Sequence, residues 1–389
     1  MKFTTKLPTP SDDALAHSQK LQHKIRDVID ENNGSISFRR YMEMALYQQG
    51  LGYYVAGARK IGQSGDFITA PEISPLFSQC LASQCQQILA QLKQGDILEL
   101  GAGSGLMAAH ILLELEKQSS LPRHYYILDV SPELKQRQKE TIEALAPHLL
   151  MHVSWLDNLP DAFIGIILAN EVLDAMPVDV FTLHKEQCFE HRVIWQEDRL
   201  LEQLNPANAG LVNAVADLNL GKMESPYTSE INQNLSGWFE TLSACLSQGV
   251  AILVDYGYTA SEYYHPDRTK GTLICHFQHH VNESPLHYPG LQDITANVDF
   301  TAVAKCADKA GFSVSGFTSQ AAFLAGNQLE TFFMRALDES PEKQYELAQQ
   351  VRLLSLPSEM GERFKVIALS KECVLDLNGF SVADQRYRL

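Results

Sequence analysis

The chain has 389 residues, 45% of them hydrophobic and 20% charged, which suits a folded protein with a sizeable core and two or three structural units. Its 31 Lys and Arg against 47 Asp and Glu leave a formal charge of −16, a poor balance for neutralising phosphates, so nucleic-acid binding is not expected. The longest apolar run, Phe163 to Ala169, is strand-sized, so no membrane association is expected. The 7 cysteines contain no C-x-x-C pair and argue against both a disulfide framework and a thiolate zinc site.

The stretch from Met1 to Asp13 is polar and lacks the basic start and apolar run of a leader, which leads to the expectation of a cytosolic protein. Leu15, Leu21, Ile25, Val28 and Ile29 recur at helical spacing, with Gly34 as a stop. Ser37 caps a second helix carrying Phe38, Tyr41, Met42 and Ala45. Gly50 to Pro71 reads as a long functional loop, and Ser74-Pro75 opens a helix to about Leu92. From Gly95 strands alternate with helices: strand 97–100, helix 104–117, strand 125–129, helix 131–146, and strands 150–155 and 163–169. This succession predicts a doubly wound, Rossmann-like α/β sheet with crossover helices. Phe181 to Leu204 alternates like antiparallel strands, and residues 181–235 read as an insertion. The core then resumes with a helix near 238–246, a strand at 250–255, a His- and Pro-rich loop, a helix at 300–310, and strands near 312–317 and 364–369. The expected division is an N-terminal helical cap with its loop (1–95), a core (96–180 and 236–389) and an inserted β-rich segment (181–235).

Two motifs carry chemistry. Glu99-Leu100-Gly101-Ala102-Gly103-Ser104-Gly105 follows a strand and opens a helix, where glycines permit a sharp turn and a close backbone approach to a ligand. A dinucleotide fingerprint would need glycine at Leu106, which disfavours nicotinamide and favours S-adenosylmethionine, a ligand without pyrophosphate. Asp129 ends the next strand, where a carboxylate accepts from both ribose hydroxyls. The second motif, Asn170-Glu171-Val172-Leu173-Asp174, follows the fourth strand, at the carboxyl edge where such sheets bind ligands. Its two carboxylates suit a guanidinium clamp, while helix capping by Asn170 is the plainer reading. Asp66 and Glu72 lie in a polar loop beside a helix start, with function and helix entry both open. His276, His279 and His280 lack the partners of a zinc motif, and no metal is expected.

The ordered set of motifs resembles the MidA family of class I methyltransferase-fold proteins. The resemblance spans about Ser37 to Leu369. It rests on the G-D-F-x-T-A-P-E run, the E-L-G-x-G loop, N-E-x-x-D-A-x-P, Asp255-Tyr256-Gly257, Gly271-Thr272-Leu273, Pro289-Gly290, Asp293-Ile294-Thr295 and Val298-Asp299-Phe300. It departs from the family at Ala102, at Phe77-Ser78-Gln79 and at Asn297, where the family has Pro, Phe-Gly-Glu and His. The resemblance implies S-adenosyl-L-methionine as cofactor and an arginine side chain of a protein as methyl acceptor. The expected cofactor residues are Glu99, Gly101, Gly103, Gly105, Asp129, Trp155 and Asn170. The expected catalytic residues are Glu171 and Asp174, with Asp66 and Glu72 in the loop that packs over them. A non-catalytic cofactor-binding assembly factor and a small-molecule methyltransferase stay open as alternatives, as does a homodimer.

Overall fold

The computed structural model describes residues 7–56, 69–93, 95–185 and 187–389. Its central sheet is built from β1 (Asp96–Leu100), β2 (Tyr125–Leu128), β3 (Val153–Leu156), β4 (Phe163–Asn170), β5 (Leu246–Tyr258), β6 (Ser313–Ser319) and β7 (Phe364–Lys371). The strand order is β3-β2-β1-β4-β5-β7-β6. β1 to β5 pair in parallel, and β7 runs antiparallel to both its neighbours. The short strand Val298–Asp299 extends the end of β5. This is the doubly wound α/β architecture expected from the chain's alternation of strands and helices.

A strand buried on both faces reads as a continuous apolar run, and β4 shows why. Ile166 and Leu168 pack into the core beneath the helices Pro75–Leu92 and Leu106–Lys117. Ile167 and Ala169 face the opposite core, with Phe239 of the helix Leu235–Cys245 and Val303 of the helix Phe300–Lys309. The helix after β1 begins at Leu106 and not at Ser104, because Gly103 and Gly105 hold φ values of 54° and 84°, outside the helical region. β3 likewise starts at Val153, after a 3₁₀ turn at Pro147–His152 takes the residues read as its beginning.

A second, antiparallel sheet stands beside the first. It joins Asp179–His184, Gln187–Gln196, Arg199–Pro206 and Tyr227–Ile231 to the N-terminal strand Ile36–Ser37. The inserted segment also holds a helix, Ala209–Asp217, which buries only Leu211 and Val215 and leaves Val212 exposed. Helices at the start of the chain, Asp12–Glu31 and Phe38–Tyr47, share one core with this sheet: Leu21, Ile25, Tyr41 and Met42 meet Val180, Val193 and, from far downstream, Ile294. The Ser11 and Ser37 hydroxyls cap these two helices by accepting from the N–H groups of Ala14 and Arg40. The second sheet therefore sets Phe38–Tyr47 against the carboxyl edge of the central sheet, with Tyr47 donating to the Ala175 carbonyl at 2.9 Å.

All seven cysteines are free thiols. Among the described residues, no helix is long and apolar enough to cross a membrane, and no group of three or more His, Cys, Asp or Glu is placed to hold a metal ion.

Candidate active site

Strand order reverses between β1 and β4, and a cavity of about 410 Å³ opens beyond their carboxyl ends. One wall is the turn after β1. Gly101 and Gly103 hold φ values of 65° and 54°, and the Gly101 N–H is anchored on the Leu128 carbonyl at 2.9 Å. Gly105, at φ 84°, stands behind this wall, where an added Cβ would lie 2.8 Å from the Gln138 Cα. That contact is with backbone, so the turn and the helix over it can approach only through glycine.

Asp129 lines the same end of the cavity. Its Oδ1 accepts from the Ser131 N–H at 3.0 Å, and its Oδ2 from Gln138 Nε2 at 2.8 Å. Burial raises its pKa, with both hydrogen bonds opposing. Gln138 is fully buried; it also donates to the Gly103 carbonyl at 3.2 Å and accepts from Trp155 Nε1 at 2.9 Å. Trp155 thus lies outside the cavity wall and acts on it through Gln138. Glu99 does line the cavity; burial pushes its pKa up to about 7, against the 2.6 Å bond donated by the Tyr125 hydroxyl.

The opposite end is acidic. β4 runs out at Asn170, and Glu171 follows at φ 53°, a left-handed conformation that costs a residue with a Cβ about 1–2 kcal/mol. The Glu171 N–H is tied to the Val254 carbonyl at 2.9 Å. Burial pushes the Glu171 carboxyl up to about 8, with the nearby Asp174 charge adding to the rise. Asp174 accepts from the Tyr256 hydroxyl at 2.6 Å and is also raised by burial. Asp255, at the end of β5, is raised first by burial and then by Asp174 and Glu171. Its Oδ2 takes the N–H groups of Leu173 and Asp174 at 2.9 and 3.2 Å, so it pins the turn that carries both acids.

The structure therefore brings Glu72, Glu99, Gly101, Gly103, Asp129, Asn170, Glu171 and Asp174 to one cavity, while Gly105 and Trp155 support it from behind. Glu72 reaches it from the short helix Ala70–Ile73 and accepts from the Ser104 hydroxyl. Asp66 lies outside the described residues. Asn297 is elsewhere, lining a small separate cavity of about 50 Å³ beside the buried Glu230. Gln138 and Tyr47 were given no part by the sequence, while Asp255 and Tyr256 stood there only as a motif of the resemblance and Tyr54 only as a member of the loop Gly50 to Pro71. Asp255 carried a signal: it is an acid at the end of an apolar strand, the same position that singled out Asp129. Tyr47 and Tyr54 stack at 5.5 Å between ring centroids, and Tyr54 donates to Asp293 at 2.9 Å.

Two observations test whether a sulfonium nucleoside fits. The Oδ1 atoms of Asn170 and Asp174 are buried without a hydrogen-bond partner. No Lys, Arg or His lines the cavity among the described residues. Asp129 and the glycine turn would hold the nucleoside, and the acidic end would face the positive sulfur.

Comparisons with known proteins agree. The family model described as an S-adenosyl-L-methionine-dependent methyltransferase matches residues 80–318. The crystal structure of a superfamily protein from Burkholderia thailandensis bound to S-adenosyl-homocysteine superposes with a TM-score of 0.94 at 38% identity, covering 99% of this chain and all of that one. The mitochondrial protein arginine methyltransferase NDUFAF7 of Danio rerio is 28% identical over 384 residues, covering 90% of this chain and 86% of that protein. Its Homo sapiens counterpart is 28% identical over 381 residues, covering 90% and 82%. The mitochondrial names of these relatives overturn the expectation of a cytosolic protein: the polar composition of residues 1–13 describes that stretch alone and does not fix a compartment. The fold, the cavity and these relatives converge, and the chain belongs to the MidA family of S-adenosyl-L-methionine-dependent methyltransferases.

Proposed function

We propose that the chain methylates an arginine side chain of a protein. The observation that carries this reading is the acidic end of the cavity, where the partly buried Glu171 and the buried Asp174 stand together and no basic side chain lines the wall among the described residues. A guanidinium supplies the missing positive charge, and its planar donors match paired carboxylates. The printed name of the NDUFAF7 relatives, protein arginine methyltransferase, supports the same acceptor.

S-adenosyl-L-methionine, when bound, supplies an electrophilic methyl group on a sulfonium. The protein's part is placement and proton removal. Asp129 and the Gly101–Gly103 turn hold the nucleoside end. Asp174, oriented by Tyr256, and Glu171 hold the guanidinium and aim one nitrogen along the line of transfer. A guanidinium stays protonated in water, so a proton must leave as the methyl arrives. Glu171 is suited to take it: its carboxyl is held near 8 by burial, and an adjacent cation draws it back toward the ionised form. The three-part division (1–95, 181–235, and 96–180 with 236–389) belongs to this proposal, with the helices Asp12–Glu31 and Phe38–Tyr47 and the inserted strands on the substrate side, while Pro75–Leu92, read as part of the cap, packs against the central sheet instead.

The test is transfer of a labelled methyl group to arginine peptides, followed by acid hydrolysis and identification of the methylated amino acid. Methylarginine is expected. Label on lysine, on a carboxylate or on a small molecule alone would replace this reading.

A further inference from the structure

The active-site cavity has neighbours beyond its acidic wall. Tyr47 and Pro177 line both this cavity and a second one of about 420 Å³. Ser37, Arg39 and Arg40 line both the second and a third of about 340 Å³. The three spaces follow one another along the helix Phe38–Tyr47, on the side facing the inserted sheet and Asn234. This helix has 10 residues, about 15 Å of rise, which about four or five residues of extended chain would span.

The outer stretch differs in chemistry from the reaction cavity. Its walls are polar and charge-balanced. Arg39 is tied to Asp179 at 3.2 Å and to Asn234 at 3.0 Å, and Arg192 to Glu190 at 3.3 Å. Arg40 and Glu43 pair at 2.7 Å, both about half-exposed, in an arrangement that water or a ligand exchanges at little cost. Such a wall suits main-chain amides and mixed side chains. It does not suit an apolar small molecule.

We infer that this outer channel is the docking groove for the polypeptide around the methyl acceptor, with the backbone lying along Phe38–Tyr47 and the acceptor side chain passing between Tyr47 and Pro177 to the acids. The inference rests on the arginine reading for the side chain that enters, but the groove itself stands on the succession of neighbouring cavities that share lining residues.

The test compares the wild-type protein with Asn234→Trp, which places a large ring midway along the groove. Asn234 is exposed and its side chain caps no helix, so the substitution spares the fold and the cofactor end. The probes are N-acetylarginine amide and a fluorescein-labelled pool of nine-residue peptides with a central arginine and randomised flanks. Peptide binding is read by polarisation in S-adenosyl-homocysteine, and methyl transfer by label. Saturable peptide binding is expected in the wild type, with at least tenfold weaker binding in Asn234→Trp. The peptides' kcat/KM is expected to exceed that of the amide at least tenfold in the wild type only, while the amide's kcat/KM and the affinity for S-adenosyl-homocysteine stay unchanged in the variant. Peptide binding without transfer keeps the groove and removes arginine as the acceptor. No peptide binding, or binding and transfer indifferent to Asn234→Trp, overturns the groove.

Discussion

At the glycine-turn end of the cavity the protein's own donors already occupy the key acceptor. Both oxygens of Asp129 are hydrogen-bonded, and the Gln138 amide that holds one of them is oriented in turn by Trp155. At the acidic end, the Asn170 and Asp174 Oδ1 atoms are buried without partners, Glu171 sits in a left-handed conformation, and Asp255 adds a third carboxyl. One end is organised before any ligand arrives. The other keeps unpaired acceptors and like charges together, an arrangement that a cation relieves. The contrast implies that cofactor affinity and methyl transfer are separable, because they depend on groups with opposite states of satisfaction.

The strongest way to break this comparison is Glu171→Gln. It keeps the side chain's shape and removes its base, so methyl transfer is expected to fall about a thousandfold while calorimetry finds the cofactor affinity within a few-fold of wild type. Equal loss of both would show that the two ends act as one unit. Asp129→Ala is the mirror experiment: removal of a charged acceptor for two ribose hydroxyls is expected to weaken cofactor binding by at least about a hundredfold. A Kd near the wild-type value would move the nucleoside elsewhere.

The pH profile sharpens the acidic end. On the proposed mechanism Glu171 must be ionised to clamp and deprotonate the guanidinium, and burial raises its pKa to about 8. The acceptor's kcat/KM is therefore expected to climb about tenfold per pH unit below that value and to level off above it. A profile already flat at pH 6 would remove Glu171 as the base. The smallest effect is expected for Trp155→Phe, which deletes only the bond that orients Gln138. Cofactor affinity should fall about two- to tenfold with kcat at saturation unchanged. A drop in kcat instead would mean that Trp155 bears on the reaction itself.

The features legible in the sequence were those written in neighbouring residues. The alternation of strands and helices from Gly95 onward, the glycine turn after β1 and the serine caps are local patterns, and the doubly wound sheet and the family followed from them. What escaped depends on residues far apart in the chain. The pairing of Ile36–Ser37 with Arg192 and Val193 leaves no mark on either segment alone. Gln138 reads as one more polar residue on a polar helix until folding buries it against Asp129 and Trp155. The helix Ala209–Asp217 shows no clear period because its apolar residues are not confined to one face: Leu211 and Val215 are buried while Val212 is exposed. Asp66, read as part of the loop over the site, lies outside the described residues.

The core shared by the first two helices and the second sheet has a consequence for synthesis. Tyr41 and Met42 are made before Val180, Val193 and Ile294, against which they pack. At a ribosomal rate of roughly 5–20 residues per second, the partners in the last third of the chain follow after roughly 10–50 seconds. For that interval the nascent helices carry an uncovered apolar face. This core is thus begun before the parallel sheet and completed after most of it, so it depends more than the parallel sheet on protection during elongation.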